Sequence, residues 1–151
     1  MATEAGTRPE RTKRPIPALS ADNESFWTSG TDGVLRILRC SECSWFIHPP
    51  RPVCPQCLSR SVAPAPVSGR ATVESFTINY RQWNPNVEPP YVIARVELVE
   101  QPALYLVTNI VNTPVESVTF GMPVRVVFEQ ISDQVWLPLF EPEPEPEVEA
   151  R

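Results

Sequence analysis

Cys40, Cys43, Cys54 and Cys57 are the only cysteines in the chain, and they fall as C-x2-C-x10-C-x2-C. Each C-x-x-C pair can fold into a tight knuckle that turns two thiolates toward one point. Two knuckles close a tetrahedral S4 site of the kind Zn²⁺ occupies. All four coordination positions are then filled by protein, so none is left for a substrate and the ion reads as structural. The unit that carries the cysteines, about twenty-five residues, is too short to bury a sufficient core. It would draw its folding free energy largely from the metal, roughly 10–16 kcal/mol in small zinc peptides.

Two other readings of the same cysteines stand beside zinc. Iron bound as in rubredoxin uses the same four thiolates and would carry electrons. Rubredoxin knuckles usually place a glycine after the second cysteine, whereas Ser44 and Leu58 follow here. Two disulfides are the third reading. Against them, residues 1–20 carry charge and proline without an apolar segment, so no secretory signal is expected. The single His48 lies between the knuckles and, with four thiolates present, is expected to pack or to face solvent rather than to ligate.

Nineteen prolines in 151 residues argue against long helices. Charge is unevenly spread. The arm 1–15 is net basic, 16–140 is mildly acidic, and 141–151 holds five glutamates against Arg151 in a Glu-Pro repeat. Such a tail repels itself and has nothing to bury, so both ends, 1–15 and 141–151, are expected to be disordered. Removal of everything after Phe140 is expected to leave folding and zinc content intact. No apolar run approaches the ~20 residues of a membrane helix, and a soluble, cytoplasmic protein is expected.

Between the tails, Ser20–Gly30 reads as one short helix, with Ser20 as its N-cap and Gly30 as its stop. Phe26 and Trp27 are adjacent and point roughly 100° apart, so one packs on the body and the other is free for a partner or ligand. Val34–Arg39 runs as a strand into the first knuckle, completing a helix-plus-ribbon unit over 16–62. Ala63-Pro64-Ala65-Pro66 reads as a linker. From Gly69 the pattern turns to β: Arg70–Tyr80, Tyr91–Val99, a near-continuously apolar Leu104–Val111, Val124–Gln130, and Val135–Phe140, where Pro138 suggests an edge. Five strands over 63–140, the first long enough to bend, match a five-stranded OB-fold barrel, with a sandwich fragment as the alternative. The fold class expected is thus mainly β: a short N-terminal helix, a rubredoxin-like zinc ribbon and an OB barrel.

The order of motifs is itself informative. Phe26-Trp27, Gly33-x-Leu35, the four cysteines with Pro50-Arg51 between them, Cys54-Pro55-x-Cys57, Gly69, Pro90-Tyr91-Val92, Gly121-x-Pro123-Val124 and Leu137-Pro138-x-Phe140 follow one another. This series resembles the zinc-ribbon OB-fold family of acyl-CoA-associated proteins, long catalogued as a domain of unknown function, over roughly residues 16–140. The resemblance implies a non-catalytic partner of thiolase-superfamily enzymes: thiolases, hydroxymethylglutaryl-CoA synthase-like enzymes, or lipid-transfer-protein-like aldolases of steroid side-chain degradation. It implies a barrel that bridges or completes a site for acyl-CoA, a heterotetramer by analogy, and the four cysteines as zinc ligands. It would make the chain a required subunit of an acyl-CoA lyase, aldolase or acyltransferase complex.

Residue chemistry points the same way. With every cysteine committed to metal and one histidine in the ribbon, Cys/His and Ser/His catalysis are excluded, and neither G-x-x-x-x-G-K-[ST] nor G-x-G-x-x-G occurs. Candidate ligand or partner contacts are Arg81 and Trp83, between the first two barrel strands, and Trp27; the plainer reading of Trp83 is a cover for the barrel mouth. A single-stranded nucleic-acid binder is the other OB-fold possibility. It needs a cationic groove, yet Gly69–Phe140 holds Arg70, Arg81, Arg95 and Arg125 against seven acids.

Overall fold

The computed structural model describes residues 14–145. The helix is a single turn, α1 (Glu24–Trp27), followed by a 3-10 turn at Ser29–Thr31. It is shorter than the Ser20–Gly30 expected because the segment before it is locked as a turn. The Ser20 carbonyl accepts the N–H groups of Asn23 and Glu24, while the Asn23 side chain accepts from the Ser20 N–H and donates to the Ala18 carbonyl. Ser20 therefore anchors the turn with its backbone. Gly30 does not cap a helix; it sits against Trp136, where a Cβ would collide with the ring and its stem.

Three strands form the ribbon sheet, in the order β2-β1-β3: β1 (Arg36–Cys40), β2 (Phe46–Ile47) and β3 (Val62–Pro66). The expected linker 63–66 is thus a strand, paired with all of β1 from Arg36↔Pro66 to Cys40↔Val62. Pro64 and Pro66 are compatible with this because β3 is the sheet's outer strand, where missing N–H groups leave no gap in a ladder.

Five further strands, β4 (Arg70–Asn79), β5 (Tyr91–Leu98), β6 (Tyr105–Ile110), β7 (Pro123–Gln130) and β8 (Trp136–Pro142), close a barrel in the order β4-β5-β6-β8-β7. This is the expected OB-type barrel. β4 serves two neighbours, pairing with β5 along its length and with β7 through Arg70–Thr72, and a register shift between Val73 and Ser75 lets it coil. β8 is not an edge. It pairs antiparallel with β7 and parallel with β6 at Ile110↔Phe140. Pro138 is accommodated because the β6–β8 seam beside it is bridged by a side chain: the buried Thr108 hydroxyl donates to the Pro138 carbonyl at 3.0 Å.

Alternation puts Val92, Ala94, Val96 and Leu98 of β5 inside. β6 also alternates, with Leu106 and Ile110 buried and Val107 75% exposed, so its apolar run is not buried on both faces. The barrel core continues into the ribbon unit, since Phe26, Leu35 and Ile37 belong to the same buried cluster as Val73, Leu106 and Phe140. A second, small cluster of Leu38, Cys40, Ile47 and Cys54 lies under the knuckles.

The acidic end begins later than expected. β8 runs through Glu141 and Pro142; Glu141 pairs with Arg125 at 2.8 Å, and Glu143 with Arg70 at 2.8 Å. At the other end, Arg14 of the expected arm reaches Glu129 at 3.3 Å and Asn109 at 3.1 Å. The rest of the arm, 1–13, and of the tail, 146–151, lies outside the described residues.

Candidate functional site

The metal centre grows out of two matching turns. In the first, Ser44 N–H donates to the Cys40 carbonyl and Cys40 N–H to the Trp45 carbonyl. In the second, Leu58 N–H donates to the Cys54 carbonyl and Cys54 N–H to the Ser59 carbonyl. Ser44 and Leu58 both take left-handed backbone angles, φ 65 and 63. The knuckle therefore closes without the rubredoxin glycine, with the cost of that conformation borne by non-glycine residues.

The four Sγ atoms lie within 4.8 Å of one another, with Cys40–Cys57 and Cys43–Cys54 at 3.6 Å. An ion ~2.3 Å from each sulfur would set them ~3.8 Å apart, so the donor set fits one tetrahedral Zn²⁺. His48 is not among them. The electrostatics also call for a cation. The backbone N–H groups of Cys43 and Glu42 lower the Cys40 thiol to about 6. Cys57 is pushed up to about 12: the Ser59 N–H favours its thiolate, but burial and the three adjacent thiols outweigh that. Crowded thiols cannot all ionise until a positive ion joins them. Bound zinc cross-links the two knuckles and supplies no open coordination position.

Of the aromatic pair, Phe26 is buried and Trp27 is half-exposed, its ring edge-on to Phe26 at 4.8 Å. Trp27 borders a hollow of about 550 Å³ between α1, the His48–Pro50 segment of the ribbon and the outer face of β5 and β6, whose floor is Arg95, Tyr105 and Val107. His48 packs on Phe26 at 4.9 Å. Burial lowers its pKa to about 4, leaving a neutral imidazole. Arg95 lies over the Tyr105 ring at 4.5 Å and is fixed to Glu74 at 2.7 Å.

Arg81 and Trp83 stand elsewhere, on the loop between β4 and β5. The Arg81 guanidinium lies 4.5 Å over the Trp83 ring, and Trp83 Nε1 donates to Asn79 Oδ1 at 2.9 Å. Trp83 is 69% exposed, so it presents its face to solvent. Arg81 and Trp83 thus come together, while Trp27 belongs to a different surface. The Tyr105–Val107 floor escaped sequence reading because Leu104–Val111 looked near-continuously apolar; the polar Asn109, which alternation puts on the same face as Tyr105 and Val107, was the available signal.

Ribbon and barrel together define a class, the zinc-ribbon OB-fold proteins. Residues 27–63 match the rubredoxin-like zinc ribbon domain of ChsH2, and residues 65–129 its C-terminal OB-fold domain. A solved chain of an Ltp2-ChsH2(DUF35) aldolase superposes with a TM-score of 0.76 at 34% identity, covering 84% of this chain and 98% of that one.

Among curated relatives, a probable enoyl-CoA hydratase alpha subunit of Thermomonospora curvata is 34% identical over 93% of this chain and 43% of its own. The 3-oxo-4,17-pregnadiene-20-carboxyl-CoA hydratase alpha subunit of Mycobacterium tuberculosis is 33% identical over 78% of this chain and 37% of its own. A DUF35 domain-containing scaffold protein of Methanocaldococcus jannaschii is 30% identical, over 64% and 68%. The chain spans less than half the length of the first two relatives. It belongs to the ChsH2-type DUF35 family. Among the described residues, no helix is long and apolar enough to cross a membrane.

Proposed function

We propose that this chain is a non-catalytic accessory subunit of a thiolase-superfamily acyl-CoA complex, of the thiolase or steroid side-chain retro-aldolase type. It bridges the catalytic partner and helps to hold the acyl-CoA. The observation that carries this reading is the alignment of ribbon and barrel along 98% of a chain from an Ltp2-ChsH2(DUF35) aldolase. The relatives named for CoA thioesters and for a scaffold support it. So does the commitment of all four cysteines to a closed metal set, which leaves the partner to supply the reacting groups.

A cytoplasmic two-plus-two heterotetramer with a lipid-transfer-protein-like or thiolase-like dimer is the assembly we infer. The stacked Arg81–Trp83 pair, a flat ring with a cation above it, suits the adenine and phosphate of CoA. Nucleic-acid binding finds less support. Arg70, Arg95 and Arg125 are each held in an ion pair, which removes three of the four barrel arginines from a phosphate track.

The test is a pull-down of the tagged full chain from its native extract, with mass spectrometry of what co-purifies. Stoichiometric recovery of a thiolase-like or lipid-transfer-like enzyme is expected; recovery of the chain alone, zinc-loaded, would overturn the subunit reading. Joint Arg81→Ala and Trp83→Ala substitution is expected to weaken CoA-ester binding by the complex. Unchanged affinity would remove this loop from the site.

A further inference from the structure

A sheet edge can still take on another strand, since it keeps a row of N–H and C=O groups without protein partners. Two edges of this molecule are closed. On β2, the outward N–H and C=O of Phe46 are taken by the Gln101 side-chain amide. On β3, the Val67 N–H donates to the Leu35 carbonyl and the Ser41 N–H to the Ser61 carbonyl, so odd-numbered residues serve β1. Val62, Pro64 and Pro66 therefore face outward, and two of these three have no N–H to offer.

The second half of β4 is left open. The Leu98 N–H donates to the Leu104 carbonyl, which assigns Val92 and Ala94 of β5 to β6 and leaves Tyr91, Ile93 and Arg95 to bond β4. Their partners there are Asn79, Thr77 and Ser75, so Phe76 and Ile78 turn their N–H and C=O groups the other way. β7 does not meet them. Its pairing with β4 ends at Thr72, and the Met122 carbonyl and Gly121 N–H carry it only to Val73. Among the described residues, no hydrogen bond reaches Phe76 or Ile78 from that side.

Nothing in the run deters an added strand. Ser75-Phe76-Thr77-Ile78-Asn79-Tyr80 carries no charge and no proline, and it is rich in β-branched and aromatic residues. Apolar side chains stand out beside it: Tyr80 is 67% exposed, and Phe120, whose ring lies 5.0 Å from that of Phe76, is 71% exposed.

The segment is also complementary to itself. Turned antiparallel about Ile78, two copies set Phe76 against Tyr80, an aromatic cross-strand pair, and each outward N–H meets an outward carbonyl. Arg81 of one copy then stands opposite Ser75 of the other and beside its Glu74. Arg81 is stacked on Trp83 and has no carboxylate of its own among the described residues. Glu74 binds Arg95 through Oε2 and keeps lone pairs on Oε1.

We propose that the open half of β4 is a self-association edge. Two copies of this chain pair antiparallel through residues 76–80, which joins the two barrels by one continuous sheet, and the attraction between Arg81 and Glu74 fixes the register. The pairing rests on strand edges and charge, independently of the acyl-CoA reading.

The test is sedimentation velocity of the zinc-loaded full chain from about 1 to about 200 µM, with amide exchange measured at both ends of that range. A reversible shift from the 17.0 kDa chain to twice that mass is expected. The Phe76 and Ile78 amides should exchange freely in the dilute chain and about tenfold more slowly in the dimer. Those of Ser75 and Thr77, already bonded to β5, should not change with concentration. Thr77→Lys, at an exposed position, sets like charges across the pair and should weaken association about tenfold, with zinc content unchanged. Arg81→Glu, which faces Glu74 with a second carboxylate, should weaken it as well.

A chain that stays monomeric across the range, amides at Phe76 and Ile78 already protected when dilute, or a dimer indifferent to T77K would each overturn the proposal. If the chain stays monomeric and these amides become protected only when a co-purifying enzyme is added, the edge takes a strand of that enzyme and the second-copy proposal falls.

Discussion

Ser29 shows how much one residue joins. It is fully buried, its hydroxyl donates to the Ser25 carbonyl at 2.7 Å and accepts the Arg36 N–H at 3.1 Å, and so it fastens the end of α1 to the start of β1. Ser29→Ala leaves a buried backbone N–H unpaired and should cost about 1–3 kcal/mol, read from the denaturant midpoint. Nothing in the sequence marks Ser29, because its partners are backbone groups of other elements. The cysteines are the opposite case, since their spacing alone specifies the metal site. His48 supplies a pH dependence. Its pKa is ordinarily 6.5 and falls to about 4 in the folded chain, so the unfolded chain binds more protons between those values. The neutral imidazole's contribution is fully present above 6.5 and is lost as pH falls toward about 4. Between about pH 7.5 and 5.5, wild type should lose on the order of 1 kcal/mol more than His48→Gln, measured by denaturation with zinc in excess. Parallel pH profiles would refute this.

At the scale of elements, the barrel strands were legible because alternation and turn residues report a half-buried pleat, as Val92, Ala94, Val96 and Leu98 illustrate. β3 was not, because proline is read as a breaker and its role here depends on an edge position that only the assembled sheet defines. Nor was the junction between ribbon and barrel. The Phe46 N–H donates to Gln101 Oε1 at 2.8 Å, and Gln101 Nε2 donates to the Phe46 carbonyl at 3.2 Å, so a side-chain amide continues the edge of β2. Gln101→Ala should lower stability by about 1–2 kcal/mol and speed amide exchange at Phe46. The end of β8 carries a further prediction. A cut after Phe140 deletes the Val124↔Pro142 pairing and the Glu143 N–H bond to the Pro123 carbonyl, together with the ion pairs to Arg125 and Arg70. That truncation should lower the melting temperature relative to a chain that ends after Glu145; equal melting of the two would contradict it.

For the whole molecule, the metal and the barrel are not independent. β1 places Leu35 and Ile37 near or within its length in the barrel's cluster, while Leu38 and Cys40 belong to the small cluster beneath the knuckles. Chelation of one zinc per chain should therefore move a single cooperative melting transition to lower temperature. Two separate transitions on calorimetry would show that ribbon and barrel unfold independently. The family was legible as an order of motifs, but the hollow beside Trp27 was not, since it is assembled from α1, the ribbon and two strands that only the fold brings together. The pairing of β3 with β1 has one more consequence. A slack tether between two modules would leave their separation to chance, whereas a hydrogen-bonded strand that ends only three residues before the first barrel strand holds it constant. The chain is thus a fixed gauge: a grip on the zinc end sets the position of the barrel end, and a partner that docks on one surface learns where the other lies.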